Sequence, residues 1–447
     1  MYILITTRVS RLVGLSLKKI VMVGAGPASL FAAKQLAGKY EVTILDEGGH
    51  VGGSGLYSDG KLNFNPLIGG DLTEFMPLND AWEVIDEIRE TFKELGVDTE
   101  AHGEEGQNQL EREAARAGIR FVRISQSHIG SDHLPGIMQG MRKQLEGIGV
   151  HFELGVKATG LELEGTKVTG VKAGGRVYPA NAVLLAPGRT GSGWLIKLLS
   201  SLGVGMNYNP IDIGVRVEVP NEVLNEIVNE HGCWDPKFHI YTPSYDDFVR
   251  TFCVCPRGFV AKEEYEDGLF GVNGYSNRDT SSKNTNFALL VRVRLTEPLE
   301  NTTEYGKGIA ELANTLGGRR PILQRLGDLR AHRRSTWDRL SRSYVEPTLR
   351  EVTPGDISMA YPSRIVSDIS ESLERLEAVM PGVDSDSTLI YGPEIKFYAM
   401  RVKTDKTLGT SVDDLWVGGD GAGVSRGIVG AAASGIIAAK GIKASLG

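Results

Sequence analysis

Cysteine is scarce in this chain, because only Cys233, Cys253 and Cys255 occur among 447 residues. So few cysteines exclude a disulfide framework and indicate a reduced, cytoplasmic protein. No apolar run looks long enough to cross a bilayer, so we expect no membrane span. Residues 1–17 lack the apolar core and cleavage site of a signal peptide, and we interpret them as an N-terminal extension.

Positive charge is also in deficit. The 49 lysines and arginines are outnumbered by 56 aspartates and glutamates, which gives a formal net charge of −7. This balance argues against nucleic acid or an anionic membrane as the main partner. Glycine is abundant instead, with 56 residues, and the length of the chain predicts two or three domains.

The glycines cluster first in the stretch 18–46, KKIVMVGAGPASLFAAKQLAGKYEVTILD. Two apolar runs flank a glycine turn and an amphipathic segment, which predicts strand, turn, helix and strand. Gly24 permits the tight turn, Gly26 lets a pyrophosphate approach the backbone, and Ser29 is small enough for close helix packing. The free N–H groups of the new helix would face the phosphates. Asp46 ends the second strand, where an acid can accept ribose hydroxyls, so the stretch predicts a dinucleotide site.

A second glycine-rich passage, Glu47–Pro66, has too many turn-forming residues for a helix and is interpreted as a loop. In a dinucleotide-binding fold, such a loop can run under the cofactor from the ribose toward the reactive end. Ser54, Ser58, Asp59 and Lys61 would supply hydrogen-bond donors and acceptors there. The alternative is a solvent-exposed loop, because glycine permits close backbone approach without requiring it.

Two helices are expected next. Residues 78–95 predict an amphipathic helix that Asn79 or Asp80 caps and Gly96 ends. A second helix is expected over 109–117. We interpret both as a peripheral insertion without chemistry.

The following region predicts a helix, a meander and a buried strand. The helix is expected to begin between Asp132 and Leu134 and to end at Gly147 or Gly149, and short alternating segments from 151 onward predict an antiparallel meander. The meander leads into a buried strand at 182–186. That strand ends in Ala186-Pro187-Gly188, whose small residues would let the backbone return to the cofactor. An ordinary strand end is the alternative.

Strands at 214–219, 251–255 and 289–295 predict a separate sheet in a substrate domain. Cys253 and Cys255 lie two apart, so a strand would place both on one face. They could act beside the active site as a redox pair or cofactor contact, or they could simply pack as small buried residues. A zinc site is not expected, because no second pair of ligands accompanies them.

The run Arg319–Arg342 is dense in arginine. It could contact an anionic substrate, a phosphorylated carrier or an acidic partner protein. The alternative is a solvated charged face, which is what charge runs usually form.

The C-terminal stretch carries the second strong signal. A short strand at 415–417 precedes the turn Gly418-Gly419-Asp420-Gly421, and a helix of small residues is predicted over 427–440. Asp420 could hydrogen-bond a sugar-alcohol chain. The start of the helix could direct its positive end toward a flavin, where negative charge develops on reduction.

Together these parts resemble the FAD-binding domain of glutathione-reductase-type and hydroxybenzoate-hydroxylase-type flavoproteins. Seven segments are further similar, in the same order, to a broad family of FAD-dependent dehydrogenases. They are GSGLYSDGKLN (53–63), HIGSDHL (128–134), IDIGVRVE (211–218), TFCVCPRG (251–258), GVNGYSNRD (271–279), YGPEIKF (391–397) and GDGAGVSRGIVGAAASG (419–435).

The resemblance implies FAD as the cofactor and no metal. It implies phosphates at 24–29, adenosine ribose at Asp46, adenine at the backbone of Ala158, the ribityl or pyrophosphate region at Asp420 and the flavin ring at 427–429. The residues expected to bind FAD are Gly24, Gly26, Pro27, Ala28, Ser29, Asp46, Glu47, Gly53, Ser54, Gly55, Asp59, Lys61, Ala158, Ala186, Pro187, Gly188, Asp420, Gly427, Ile428 and Val429. The candidate catalytic residues are Lys61, Cys253, Cys255, Glu394 and Lys396, with Ser58 and Ser425 as further pocket candidates.

Three positions depart from the family pattern. Asp420 replaces the usual glutamate of the C-terminal turn, Glu394-Ile395-Lys396 replaces a Glu-x-Arg pattern, and Arg257 replaces a glycine. The last two changes concern the substrate pocket and leave the cofactor expectation intact.

The resemblance implies an FAD-dependent oxidoreductase that transfers hydride between flavin and a small organic substrate. Lys61 or Lys396 could polarise a carbonyl or anchor a carboxylate, and Glu394 could move a proton. Ferredoxin or NAD(P)H is a candidate electron partner. The C-terminal motif also resembles double-bond reductases of the geranylgeranyl-reductase type, which gives a C=C reductase as an alternative. A non-catalytic flavin-binding electron-transfer scaffold is the alternative from another class.

The expected fold class is α/β. A Rossmann-like FAD-binding domain, with a parallel sheet plus an antiparallel meander, would contain an inserted α+β substrate domain. The expected bounds are 18–66, 120–204 and 385–447 for the discontinuous FAD-binding domain, 67–119 for a helical insertion, and 205–384 for the substrate or cap domain. No oligomeric state follows from the sequence.

Overall fold

The computed structural model describes residues 17–53, 56, 60–99, 104–123, 125–129, 133–265, 268–276, 280–295 and 301–447. The chain divides into two compact units. The first unit comprises Met1–Val97, Ile129–Met206 and Val402–Gly447, and the second comprises Asp98–His128 and Asn207–Arg401.

A five-stranded parallel sheet forms the centre of the first unit. Its order is Leu415–Val417, Ala182–Leu185, Lys19–Val23, Glu41–Asp46 and His151–Leu154. The inner strands are nearly continuous apolar runs because helices and loops cover both faces of a parallel sheet. The helices of this unit are Pro27–Leu36, Leu78–Glu94, Leu134–Gly147, Ser192–Ser201 and Ile428–Leu446.

Two helices of the first unit cross in very close contact. Pro27 starts the helix Pro27–Leu36 at a position where its missing N–H costs nothing. A Cβ on Gly435, in the helix Ile428–Leu446, would lie 1.9 Å from the carbonyl oxygen of Ala28. Only glycine therefore allows the C-terminal helix to pack against the start of the first helix.

The antiparallel meander of the first unit has three strands, Ala158–Glu164, Lys167–Ala173 and Arg176–Pro179. A further strand, Lys61–Phe64, precedes the second helix. Gly174 and Gly175 at the second hairpin turn both have positive φ, at 56° and 78°, which suits a tight turn.

An eight-stranded sheet forms the centre of the second unit, and it is antiparallel except at the edge pair Ile322–Arg325 and Thr353–Pro354. Its order is Thr353–Pro354, Ile322–Arg325, Leu389–Lys396, Ile211–Pro220, Asn284–Val293, Phe248–Cys255, Lys237–Tyr241 and Arg120–Val122. A hairpin, Phe259–Glu264 and Phe270–Tyr275, accompanies it. Other strands in the chain are Ser125–His128, Met206–Asn207 and Arg401–Val402, and the α-helices of this unit are Glu104–Arg116, Glu222–Asn225, Thr302–Gly317, Leu326–Arg330, Trp337–Leu340 and Ser363–Leu376.

The predicted fold class is confirmed, and several local expectations are corrected. His151–Leu154, predicted in the meander, is the fifth strand of the parallel sheet because it pairs with Glu41–Asp46. Part of the predicted loop 47–66 is the strand Lys61–Phe64. The helix Leu78–Glu94 begins after Pro77, and neither Asn79 nor Asp80 caps it.

The two units differ from the predicted domain bounds, which stay a prediction. Residues 120–128 and 385–401 were expected in the FAD-binding domain and lie in the second unit. The strand Leu389–Lys396 is the reason, because it pairs with the central strand Ile211–Pro220. Residues 67–97, expected in an insertion, belong to the first unit.

The C-terminal helix Ile428–Leu446 is long and apolar enough to cross a membrane by length and composition alone. In the structure, 78% of its 18-residue apolar window is buried inside the protein, which is typical of the core helix of a folded domain. Among the described residues it is the one helix of this kind.

Two carboxyl groups couple a hairpin to a helix in the second unit. The Thr242 hydroxyl donates to Asp368 Oδ1 at 2.8 Å, and Arg364 pairs with Asp247 at 2.5 Å. Burial raises the pKa of Asp368 to about 6, and the nearby Asp247 carboxylate acts in the same direction. Asp368 therefore holds its proton up to a higher pH in the folded protein than in the unfolded chain.

We expect Asp368→Asn to change how stability depends on pH. A carboxyl whose folded pKa lies above its unfolded value contributes stability below the unfolded pKa, and this stability is lost as pH rises through about 6. Asparagine keeps the neutral form. The variant should match the wild type near pH 4 and melt higher by roughly 3 to 6 °C at pH 7.5. Thermal melts across pH measure this, with exposed Asp338→Asn as control; parallel curves for Asp368→Asn and the wild type would refute it.

Candidate functional site

The first candidate site lies at the carboxyl ends of three neighbouring strands of the parallel sheet. A Cβ on Gly24, which has a φ of +99°, would lie 2.2 Å from the carbonyl oxygen of Ala186. A Cβ on Gly421 would lie 2.3 Å from the carbonyl oxygen of Gly188. Because these glycines have no side chains, the backbone at the ends of the three strands comes into direct contact. The segment Ala186–Gly188, where an ordinary strand end was the alternative, forms the middle of this contact.

The start of the first helix has space in front of it. Gly26 is the N-cap residue, its φ is −85°, and no side chain of the described residues caps the helix. Apart from its own chain neighbours, no atom of the described residues lies within 4 Å of the position that a Cβ on Gly26 would occupy. The following loop returns to this point, because the Gly52 N–H donates to the carbonyl of Ala25 at 2.8 Å. Uncapped N–H groups beside open space are what a pyrophosphate requires.

Ser29 occupies the third position of the glycine motif and is fully buried. Its hydroxyl has no hydrogen-bond partner among the described residues. Pro27 and Ala28 are also buried, so the first turn of the helix packs on protein along one side. The small side chains allow this packing, as the sequence predicts.

Asp46 organises the turn from which a ribose contact was predicted. Its Oδ2 accepts from the Ala25 N–H at 2.6 Å, and its Oδ1 accepts from the Gly48 N–H at 2.7 Å. Each oxygen has a second lone pair, so the arrangement leaves acceptors for a ribose. Glu47 forms an exposed ion pair with Lys157 at 2.9 Å, next to Ala158 at the start of the meander.

The C-terminal turn is held by Asp420. Its Oδ1 accepts from the Ser425 hydroxyl at 2.9 Å, and its Oδ2 accepts from the Gly427 N–H at 3.1 Å. Burial raises the pKa of Asp420 above its ordinary value, although these hydrogen bonds oppose the effect. Gly427 is the N-cap of the C-terminal helix, and within the described part of the chain no atom beyond its immediate neighbours lies within 4 Å of where its Cβ would be. Ile428 and Val429 are buried behind it.

One part of this turn was missed by sequence reasoning. The Arg426 N–H donates to the carbonyl of Gly69 at 2.7 Å. A Cβ on Gly69 would lie 2.3 Å from the carbonyl oxygen of Arg426. A Cβ on Gly430 would lie 2.2 Å from the carbonyl oxygen of Gly69. The pair Gly69-Gly70 in the sequence NPLIGGDL was the available signal, and both residues have positive φ.

The observed cradle fits FAD. Two helix starts with open glycine N-caps, at Gly26 and Gly427, lie in the unit whose strand ends converge at Gly24 and Gly421. Of the other predicted FAD-binding residues, Gly53 follows the turn and Lys61 begins a strand. Ser54, Gly55, Asp59 and the pocket candidate Ser58 lie outside the described residues. The individual contacts of these residues with FAD stay predictions.

The second candidate site lies in the second unit, where four of the five predicted catalytic residues surround Arg216. This arginine is fully buried in the central strand Ile211–Pro220. Its Nη1 donates to Glu394 Oε1 at 3.4 Å, and its Nη2 donates to the Cys253 carbonyl at 2.8 Å and to Cys255 Sγ at 3.3 Å. Glu394 Oε1 also pairs with Lys396 Nζ at 3.0 Å. Asn286 Oδ1 accepts from Arg216 Nε at 2.8 Å. We call this group the arginine cluster; it consists of Arg216, Cys253, Cys255, Asn286, Glu394 and Lys396.

The arginine cluster contains unsatisfied polar atoms. Glu394 Oε2 and Asn286 Nδ2 are buried and have no hydrogen-bond partner among the described residues. A Cβ on Gly274 would lie 1.7 Å from Arg216 Nη2, so glycine is needed there to admit the guanidinium. An unpaired buried acceptor and donor in one cluster indicate a place for water or a polar ligand group.

Lys396 links the buried Glu394 of the arginine cluster to Glu263, which is partly exposed to solvent. Lys396 Nζ contacts Glu394 at 3.0 Å and Glu263 at 3.3 Å. The Glu394 side chain is fully buried, whereas that of Glu263 is 35% exposed. The lysine thus connects an interior carboxylate with one that reaches solvent.

The two cysteines occupy an irregular part of their strand. The register between Phe248–Cys255 and Asn284–Val293 shifts between Phe252 and Cys255, and Cys253 has a φ of +48°. Such a bulge redirects side chains. Cys233, Cys253 and Cys255 are all free thiols. Across the described residues, no group of three or more His, Cys, Asp or Glu side chains could hold a metal ion.

Arg216 was not singled out by sequence reasoning. The available signal was the segment IDIGVRVEV, an otherwise apolar strand. Its charged residues Asp212, Arg216 and Glu218 are separated by four and two positions, which places all three on the same face of the strand. All three are fully buried. In the run Arg319–Arg342, by contrast, several arginines pair with nearby acids, including Arg333 with Asp328 at 2.8 Å.

We expect Gly26→Ala to weaken FAD binding without unfolding the protein. The φ of −85° suits alanine, and its methyl would enter the open space in front of the helix start, where the phosphates are expected. The FAD affinity should fall at least about tenfold, equal to about 1.4 kcal/mol. Reconstitution followed by flavin absorbance measures this.

Gly136→Ala, in the helix Leu134–Gly147, is the matched control, because its Cβ would also meet no atom of the described residues within 4 Å. It should keep the wild-type affinity for FAD. Equal FAD affinity in Gly26→Ala and the wild type would contradict the phosphate assignment.

Among the comparisons with known proteins, one family model names this cofactor. Residues 210–396 match the family model described as "FAD-dependent protein, C-terminal domain-like". An uncharacterized protein from Clostridium beijerinckii is 26% identical over 449 residues, covering 93% of this chain and 79% of that protein. A D-amino acid dehydrogenase from Bradyrhizobium diazoefficiens is 28% identical over 132 residues, 29% of this chain and 30% of that enzyme. A solved L-proline dehydrogenase from P. horikoshii aligns with a TM-score of 0.43 at 11% identity, covering 96% of this chain and 94% of that one. The predicted cofactor, FAD, is confirmed, and the chain is an FAD-dependent oxidoreductase.

Proposed function

We propose that this protein is a dehydrogenase of the glutathione-reductase and hydroxybenzoate-hydroxylase type of flavoprotein, which removes hydride from a small organic substrate. The observation that carries the proposal is the pair of open glycine N-caps at Gly26 and Gly427 in one unit. One would face the phosphates and the other the flavin ring. When bound, FAD supplies the hydride acceptor.

The first unit would hold the cofactor by backbone more than by side chains. Gly24, Gly26 and Ser29 would bring the helix start to the phosphates, and Asp46 would accept the ribose hydroxyls. Asp420 keeps the N–H of Gly427 oriented, as the observed 3.1 Å hydrogen bond supports. The helix that begins there would stabilise negative charge on the flavin ring.

The second unit would manage the proton that a dehydrogenation releases. Glu394 is the proposed proton acceptor, because its Oε2 is buried with no partner among the described residues. Arg216 and Lys396 contact the other oxygen, Oε1, which leaves Oε2 as the atom that would take the proton. For the proton to leave, Lys396 would give one of its own protons to Glu263 and take the Glu394 proton in its place, along contacts of 3.3 and 3.0 Å.

Oxidation of the substrate is favoured over the C=C reductase alternative. The supporting similarity is to the D-amino acid dehydrogenase of Bradyrhizobium diazoefficiens, whose name states a dehydrogenase activity. A buried carboxylate that can receive a proton also suits dehydrogenation. The electron acceptor that reoxidises the flavin remains a prediction, with ferredoxin as the first candidate.

The first experiment is anaerobic reduction of the purified holoprotein, followed by flavin absorbance. A panel of amino acids, hydroxy acids and amines should contain a compound that bleaches the flavin. Bleaching by NADPH or NADH alone would favour the reductase alternative. Bleaching only by dithionite, together with a stable complex with an acidic electron carrier, would favour the scaffold alternative.

We expect Glu394→Gln to slow flavin reduction by the identified substrate about 100-fold or more, because a general base contributes that much. Stopped-flow absorbance measures the rate, and dithionite reduction should stay unchanged. The control is Glu374→Gln on the exposed side of the helix Ser363–Leu376. A wild-type rate in Glu394→Gln would overturn its role as proton acceptor.

A further inference from the structure

One face of the eight-stranded sheet alternates cationic side chains with aromatic rings. The pairing register places His239 opposite Arg250 and Tyr241 opposite Phe248, and residues opposite each other share a face. We call this surface the cation–aromatic face. It consists of Lys237, His239, Tyr241, Phe248, Arg250, Phe252 and Arg292.

The cations lie over the rings. The Arg292 guanidinium carbon is 4.6 Å from the centre of the Phe248 ring, and that of Arg250 is 4.8 Å from the centre of Phe252. The His239 ring meets Phe248 edge-on with 4.8 Å between centres. These contacts hold the guanidinium groups beside the aromatic rings of the sheet.

Positive charge exceeds negative charge among the interacting side chains of this face. Asp212 Oδ2 accepts from Arg250 at 2.6 Å, and Asp212 Oδ1 accepts from Arg292 at 3.3 Å, so one carboxylate serves two arginines. Lys237 has its own partner, Asp235, at 2.6 Å. Three cations of the face therefore share two carboxylates.

The pKa of His239 is lowered in part by the positive electrostatic potential of this face. Burial lowers its pKa to about 3, and the charges of Arg250, Arg120, Arg292 and Lys237 act in the same direction. The imidazole is consequently neutral at neutral pH. It does not neutralise an anion by charge, and it can donate one hydrogen bond.

Arg292 offers a fork that is free to bind a ligand. Among the described residues it donates to Asp212 through Nε, and no protein acceptor meets its two Nη groups. Its side chain is 31% exposed, so ligand can reach it. Two coplanar N–H groups match the two oxygens of a carboxylate, and the adjoining Phe248 ring offers a flat apolar surface.

We propose that the cation–aromatic face binds the substrate, and that the substrate is a small organic anion whose carboxylate adjoins a planar or aromatic group. Arg292 would hold the carboxylate, and Phe248 would contact the planar group. The proposal rests on the proposed function for the identity of the ligand as substrate. Carboxylate binding itself does not require FAD turnover, so the two can fail separately.

The test is isothermal titration of the full-length holoprotein with benzoate. Benzamide is the probe with the ring and without the charge, and acetate is the probe with the charge and without the ring. Benzoate should bind at least tenfold more tightly than either one. Arg292→Leu should weaken benzoate binding 10- to 100-fold, because a charge-assisted pair to a carboxylate is lost. Phe248→Leu should weaken benzoate and leave acetate unchanged.

Arg342→Leu is the control, since Arg342 is an exposed arginine of the same unit that pairs with Asp338 at 2.8 Å. Arg292→Lys is the conservative variant, which retains the positive charge and loses the paired N–H groups of the guanidinium. Its affinity for benzoate should lie between those of the wild type and Arg292→Leu, a graded result that misfolding would not produce. Equal binding of benzoate and benzamide, or unchanged benzoate binding in both Arg292 variants, would overturn the proposal. Benzoate binding with the expected variant effects, in a holoprotein whose flavin no carboxylate of the substrate panel bleaches, would overturn the proposed function and leave the anion site standing.

Discussion

The contact between backbone and backbone at the carboxyl edge of the parallel sheet is the constraint on which the first unit depends. Gly24 and Gly421 each approach a carbonyl of the segment Ala186–Gly188 at distances that no Cβ could tolerate. Gly435 does the same where the two helices cross. Removing side chains from these positions leaves N–H groups and helix ends as the main functional surface. Such a surface suits a phosphate-rich cofactor, because backbone donors and helix dipoles bind anions without a fixed counter-charge.

The second unit depends on a different constraint, the neutralisation of charges inside a sheet. Asp212, Arg216 and Glu218 lie on the same face of the central strand, and all three are fully buried. Each has partners from other parts of the unit: Arg250 for Asp212, Glu394 for Arg216, and Thr348 for Glu218. A buried charge without its partner is costly, so these pairs favour one pairing register. The same pairs place polar chemistry in an otherwise apolar sheet.

The two constraints divide the work of a flavoenzyme. The first unit offers shape and backbone groups, which would suit a cofactor that is always the same. The second unit presents the arginine cluster and the cation–aromatic face, which consist of side chains and can be changed by substitution. Glu394-Ile395-Lys396, which departs from the expected family pattern, lies in this second unit, so under the proposed function the departure would concern substrate chemistry.

The sequence by itself determined the cofactor half of this protein. The GAGPAS turn, Asp46 and the Gly-Asp turn before the last helix act through local geometry, because glycine, an uncapped helix and a strand end are readable over a few residues. Only the tertiary structure decided the rest. Arg216, Glu263 and Arg292 are far apart in the chain, and pairing between strands, which no local pattern specifies, gives them their partners. Likewise, Gly69-Gly70 has a role only because the fold brings it to Arg426. His151–Leu154 shows the same limit, since its alternating pattern suited a meander and its place was set by pairing with Glu41–Asp46.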